Sequence, residues 1–277
     1  MTNSAKVQIC RASVPLLDSR GLQLKISIIT VCYNSEQYIS SAINSVLSQT
    51  YRNIEYIVID GGSNDATVTR VQSYGDKIVH LVSEEDDGIY HAMNKGLALA
   101  SGDIIAILNS DDFFLHNNVI AEVVKAFEGN PDVEMVLGNV DFVTPDDLTA
   151  PVRFYSSYKY VPWKMRFGFM PAHPAAFIRR TAYNQIGYYK LGYKISADFE
   201  WFVRALMVNH LPYIKLNSTL VRMRLGGVST SGLKSYLASS NELLRALREN
   251  RVYSNLLFIL IRLPIKFIHK ILKRSRI

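Results

Sequence analysis

Apolar, β-branched runs alternate with helical patterns through the first half of the chain. The run ISIITVCYN ends at Tyr33 and Asn34, and the helix-like SSAINSVLSQ follows it. IEYIVIDGGSND reads as a second strand ending at Asp60 and a Gly61–Gly62 turn. A helix over 65–74 comes next, with Asp65 or Asn64 as its cap. A third strand, IVHLVSEEDDG, ends in Glu84, Glu85, Asp86 and Asp87, and Asp87 is placed to cap the helix GIYHAMNKGLALA. Ser101–Gly102 stops that helix, and DIIAILNSDD closes the series at Asn109, Ser110, Asp111 and Asp112.

Strands that are apolar throughout and separated by helices predict an α/β fold with a mostly parallel central sheet flanked by helices. Ligands of such sheets bind beyond the carboxyl ends of the strands. All four strands end in polar or acidic residues at that edge, which gathers several carboxylates around one crevice.

The second half is less regular. It predicts a helix at 119–128, strands at 135–138 and 141–144, and a helix over 197–209. PYIKL and TLVRMRL read as two further strands, and 231–249 as a helix. The segment 154–180 is rich in aromatics, prolines and bases and reads as loop over a binding surface. No internal repeat is evident. The expected organisation is a leader at 1–24, a catalytic domain at 25–230 and a helical basic C-terminal region at 231–277.

Charge refines this picture. Seven of the 31 basic residues lie in 251–277, where no acid occurs, and the other 24 match the 24 acids of the chain. The neutral body speaks against nucleic-acid binding. The segment 255–274 sets Arg262, Lys266, Lys270 and Lys273 or Arg274 at helical spacing opposite apolar residues, with a break at Pro264. That pattern suits an interfacial helix on an anionic membrane surface. Packing against the domain or a partner is the alternative. Only Cys10 and Cys32 are available for disulfides, which favours a reducing cytoplasm. Residues 1–25 lack a signal-peptide core, and no run of eighteen uncharged apolar residues predicts a spanning helix.

The adjacent carboxylates of Asp111 and Asp112 at a buried strand end repel each other unless a cation or hydrogen-bond donors offset them. A divalent ion with oxygen ligands would do so and would also neutralise a diphosphate. A turn with a helix cap is the simpler reading of the pair alone.

The motifs together resemble the family 2 glycosyltransferases, inverting enzymes of the type A, nucleotide-diphospho-sugar transferase fold. The resemblance runs from about Lys25 to Phe114 and returns in patches, HPAAFIRR and SADFEWFVRAL, to about Leu206. It implies a nucleotide-sugar donor, a glycan or lipid-linked saccharide acceptor, and Mg²⁺ or Mn²⁺. It assigns Thr30, Tyr33 and Asn34 to the nucleotide-facing end of the first strand and Asp60 to the nucleobase edge. The family pattern has a second acid after that aspartate, where this chain has Gly61. Asp111 falls near the ribose and metal, and Asp112 on the metal. Position 109, often Asp in the family, is Asn109 and is not counted as a ligand.

Asp87 is the acid of its loop expected to face the donor, and Asn94 and Lys95 stand between that site and a packing role. Asp198 matches the catalytic base, with Glu200 as the weaker alternative. His173 matches a site-facing position, for metal, phosphate or acceptor contact. Arg179 and Arg180 are candidates for phosphates. The implied setting is surface-polysaccharide synthesis by a cytoplasmic enzyme peripheral to the membrane.

Two rival enzyme classes lack their motifs. CYNSEQYIS has neither the glycines and bases of a triphosphate loop nor the G-x-G-x-x-G of a dinucleotide site. A nucleotide-sugar-binding scaffold without transfer activity remains the alternative.

Overall fold

A computed structural model describes residues 23–226 and 232–262. Strands β1 (Ile26–Cys32), β2 (Ile54–Asp60), β3 (His80–Ser83) and β4 (Ile104–Ile107) alternate with helices α1 (Ile39–Leu47), α2 (Thr67–Gln72) and α3 (Ile89–Leu99). These four strands pair in the order β3-β2-β1-β4 and are all parallel. Cys32 is in register with Asp60, and Asp60 with Ser83, so the carboxyl ends of three strands form one edge.

Strand alternation sends Ile29, Val31, Ile57 and Ile59 into one core and Ile28, Cys32, Tyr56 and Val58 into the other. Both faces are covered, which explains the unbroken apolar runs. Helix α3 lies close on β1 because it presents Gly96: a Cβ there would stand 2.4 Å from Ile29 Cγ2.

Beyond β4 the sheet becomes mixed. Its further elements are β5 (Phe113–Phe114), α4 (Val119–Glu128), β6 (Met135–Val143), β7 (Arg153–Tyr155), β8 (Ala176–Arg179), α5 (Arg180–Ile186), α6 (Ala197–Phe202) and β9 (Tyr213–Arg224). The order continues β4-β8-β6-β9-β5, with β7 on β6. β8 runs antiparallel to β4 and β6, whereas β6 and β9 are parallel.

The expected strand pairs at 135–144 and 212–225 are each one strand. Gly138 does not break β6; a Cβ there would come 2.3 Å from Leu220 Cδ1, so glycine lets β6 and β9 approach. The irregularity is absorbed as register shifts around Asn139. Helix α6 ends sooner than the apolar pattern suggests and continues as a π-helical turn, Val203–Val208.

Two C-terminal helices, α7 (Gly232–Glu249) and α8 (Leu256–Leu260), complete the described chain. They pack on the domain. Leu243, Ala246, Leu247 and Ile259 share one core with Ile29, Ile57 and Trp201. Arg262, expected on an outward basic stripe, is buried and donates to Ser240 Oγ at 3.0 Å. The remaining basic residues of that stripe lie outside the described residues. Among the described residues no helix is long and apolar enough to cross a membrane.

Candidate active site

The loops after β1 and β2 are laced together. Asn34, in a left-handed conformation at φ 46°, donates its N–H to Ser63 Oγ and accepts the N–H of Asn64 through Oδ1. Ser35 N–H donates to Thr67 Oγ1 at 2.7 Å, and Asp65 Oδ2 accepts the N–H of Glu36. Asp60 organises the same turn from beneath. Its Oδ2 accepts from the N–H groups of Gly62 and Ser63 and from Ser83 Oγ, and its Oδ1 from the Ser63 hydroxyl. The Asp60 side chain is fully buried, so its charge is spent inside the loop. Burial, with Asp60 beside it, pushes the Cys32 thiol far above its ordinary range. Tyr33 beside it is 62% exposed.

β4 delivers a second group of oxygens. Asp112 is 1% exposed, and burial, reinforced by Asp111, drives its carboxyl well above the usual carboxylate range. Asp111 is also raised by burial, with Arg224 opposing. Asn109 Nδ2 donates weakly to Asp112 at 3.4 Å, while Asn109 Oδ1 is buried with no hydrogen-bond partner among the described residues. Arg224, at the end of β9, donates to the Asp111 carbonyl at 2.6 Å and to Ser41 Oγ at 2.9 Å. Its guanidinium also lies over the rings of Phe113 and Tyr38.

These oxygens fit a hard divalent cation. An orphaned amide oxygen and two carboxylates whose ionised forms burial disfavours are what such an ion would satisfy. Among the described residues no three His, Cys, Asp or Glu side chains gather as a metal site.

A third group stands at the start of α6. Asp198 Oδ1 accepts its neighbour's Phe199 N–H at 2.8 Å and lies 3.0 Å from the Tyr90 hydroxyl, which also reaches the Ile195 carbonyl at 2.6 Å. Glu242 of α7 clamps the preceding loop, accepting N–H groups of Lys194, Ile195 and Ser196 at 2.7, 2.9 and 2.9 Å. Asp198 keeps partial exposure, unlike Glu200. Glu200 is fully buried and paired with Arg204 at 2.9 Å and Lys190 at 2.8 Å, so it is a structural ion-pair centre rather than an alternative base.

A family profile described as Glycosyl transferase family 2 matches residues 27–187. The chain belongs to glycosyl transferase family 2. It is 36% identical over 186 residues to an uncharacterized glycosyltransferase of Mycobacterium tuberculosis (strain CDC 1551 / Oshkosh), an alignment covering 66% of this chain and 69% of that protein. It is 34% identical over 126 residues to the Escherichia coli UDP-Glc:alpha-D-GlcNAc-diphosphoundecaprenol beta-1,3-glucosyltransferase WfgD, covering 45% of this chain and 49% of the relative.

Among solved structures, S. aureus TarS 1-349 in complex with UDP-GlcNAc aligns over 81% of this chain and 66% of that fragment, with a TM-score of 0.63 and 21% identity. The chain spans 40% of the longer TarS chain. The mannosyltransferase PcManGT from Pyrobaculum calidifontis, in complex with GDP-Man and Mn²⁺, aligns over 86% of this chain and 67% of its own, with a TM-score of 0.59 and 17% identity. The fold is that of the type A glycosyltransferases.

Within this family 2 glycosyltransferase several expected site residues lie elsewhere. Thr30 is buried in β1 and its hydroxyl meets Tyr56 Oη at 3.0 Å, because strand alternation turns it into the core. Among the described residues His173 does not gather with Asp111 and Asp112 as a metal set. Its Nε2 meets Tyr189 Oη at 2.8 Å among packed rings, and burial pushes its pKa below the usual value. Asp87 is exposed and does not cap α3; its backbone N–H instead donates to His91 Nδ1. Gly88 takes the cap position at φ 101°. Arg179 and Arg180 bond to the carbonyls of Val133 and Gly102, at the amino end of β4 and away from the crevice.

Asn94 clamps the backbone of Tyr189 through both ends of its amide. Lys95 joins Glu84 and Asp86, each at 2.7 Å. Sequence patterns gave no pointer to Arg224 or Glu242. Each comes from an element distant in the chain, and only the mixed half of the sheet and α7 bring them to the site.

Proposed function

We propose that this glycosyltransferase moves a sugar, with inversion, from a nucleotide-diphosphate donor to a glycan or lipid-linked saccharide acceptor. The observation that carries the reading is the opposition of two kinds of acid. Asp111 and the buried Asp112 form a pair that wants a cation, and Asp198 stands partly exposed at the start of α6, in no ion pair among the described residues. An inverting transfer needs those two parts: charge neutralisation at the leaving diphosphate and one base at the acceptor hydroxyl.

In this reading Asp112 and Asp111 hold Mg²⁺ or Mn²⁺, and Asn109 Oδ1 is a further oxygen donor to it. The ion would neutralise the developing charge on the diphosphate. Arg224, fixed on the Asp111 carbonyl, adds positive charge at the same edge. Tyr33 and the Asn34-braced loop receive the nucleoside. Asp198 takes the acceptor proton, with Tyr90 and the Glu242-held loop fixing its carboxylate.

A role in bacterial surface polysaccharide synthesis is in keeping with the likeness to WfgD, a glucosyltransferase of a diphosphoundecaprenol-linked sugar. A cytoplasmic, membrane-peripheral location would suit such an acceptor, with the basic segment after Arg262 meeting the anionic leaflet.

The test is a panel of nucleotide sugars with Mn²⁺, scored by thermal shift and nucleotide release. A donor that both stabilises the protein and is consumed supports the reading. Stabilisation without any release across an acceptor panel would favour a binding scaffold. No stabilisation by any donor would overturn the donor site.

A further inference from the structure

Beside Tyr33 and Gly61 stands a carboxylate with one oxygen that receives no hydrogen bond among the described residues. Asp86 follows β3, and its side chain is only 6% exposed. Lys95 Nζ lies 2.7 Å from Oδ1, so that oxygen is held by a cation. Oδ2 is buried with no hydrogen-bond partner among the described residues. A buried acceptor without a donor is costly to leave unmet, so it calls for a ligand.

Its aim is defined. Oδ2 lies 3.2 Å from the point a Cβ on Gly61 would occupy, and Tyr33 Cδ2 lies 3.6 Å from the same point. The carboxylate therefore fills the space that a side chain at 61 would take, beside the exposed Tyr33 ring. Asp60, one residue earlier, offers no such acceptor. Its oxygens already receive two backbone N–H groups and two hydroxyls from its own loops.

We infer that Asp86, reaching across from the β3–α3 loop, is the carboxylate that reads the donor nucleobase, accepting a ring N–H over a floor made by Tyr33 and Gly61. Asp60 shapes that floor and does not touch the base. Uracil, thymine and guanine carry a ring N–H; cytosine and adenine do not. Lys95 holds Asp86 in place by Oδ1 and leaves Oδ2 for the ligand. This inference rests on the donor-site reading above.

Calorimetric titration of UDP, dTDP, GDP, CDP and ADP with Mn²⁺ tests it in the intact protein. The parent should prefer a nucleotide with a ring N–H over CDP and ADP. Asp86→Asn should weaken that nucleotide at least about 10-fold and flatten the preference, while Mn²⁺–pyrophosphate binding stays unchanged. Adding Gly61→Asp to Asp86→Ala should recover most of the lost affinity, because the new carboxylate enters the vacated space.

Unchanged nucleotide affinity in Asp86→Asn, with binding still lost in Asp112→Asn, would overturn this inference alone. No nucleotide binding by the parent would overturn the donor site with it. Should Asp86→Asn fold poorly, the parent with N3-methyl-UDP or N1-methyl-GDP tests the same N–H: weaker binding than the unmethylated form supports the reading, and equal binding overturns it.

Discussion

The Glu242 carboxylate stands 2.9 Å from the backbone nitrogen of Ser196, the residue that opens the helix bearing Asp198. Two more N–H groups of the same loop donate to that carboxylate. Hydrogen bonds to an ionised acceptor are among the stronger ones, so Glu242 fixes where α6 begins. Glu242→Ala should lower kcat about 10–100-fold by loosening Asp198, in line with the cost of small misplacements. Nucleotide affinity should stay within about two-fold, and Glu242→Gln should recover part of the loss because its amide oxygen still accepts. Steady-state kinetics with separate nucleotide titration measures the split. Equal loss of both would mean that Glu242 serves overall stability instead.

Asp198 itself should separate binding from chemistry. Its carboxylate touches Tyr90 and the N–H of Phe199, and both contacts leave room for a second acceptor role. Asp198→Asn keeps the shape and removes the base. Transfer should fall about 10²–10⁴-fold, the usual range for general-base removal. Thermal shift by the donor should be retained. A variant with parental turnover would exclude Asp198 as the base.

How far the chain could be read in advance depended on range. The β1–β4 half was legible because its apolar runs, turn glycines and strand-end acids are local signals, and α4 falls at Val119–Glu128 as its pattern implies. The mixed half was not. Gly138 looks like a break in sequence and is a packing contact in space. Asp87 and Asp86 are adjacent acids, and nothing local tells which one turns inward. Thr30 illustrates the period of two: one position along a buried strand decides between core and crevice. Arg224 and Glu242 needed long-range packing to become visible.

Asp112 should show a trade between stability and ligand binding. Burial and the neighbouring Asp111 make its ionised form costly without a cation. Asp112→Asn removes that cost and keeps the volume, so the metal-free variant should melt higher. Each kcal/mol gained corresponds to about 2–4 °C in a chain of this size. The same change should abolish the extra stabilisation that Mn²⁺ gives with nucleotide. Calorimetric melting with and without Mn²⁺ reads both signs. A variant that melts lower and still responds to Mn²⁺ would place the ion elsewhere.

Glu55 gives the fold a built-in acid sensitivity far from the crevice. It is buried at the amino end of β2 and accepts from Ser27 Oγ, from Ser101 N–H and Oγ, and from Lys25 Nζ at 2.7 Å. Burial alone would raise its pKa, but these donors outweigh it and lower the carboxyl from 4.5 to about 2. A lowered folded-state pKa means that the stabilisation is complete above the unfolded value of 4.5 and disappears as pH falls toward about 2. The contribution at neutral pH is at most about 3 kcal/mol. Glu55→Gln should therefore be destabilised at pH 7, and its disadvantage should shrink between about pH 4.5 and 2. Urea unfolding of both proteins across that window measures the convergence. Parallel stability curves down to pH 2 would show that the Glu55 charge is not what couples Lys25, Ser27 and Ser101.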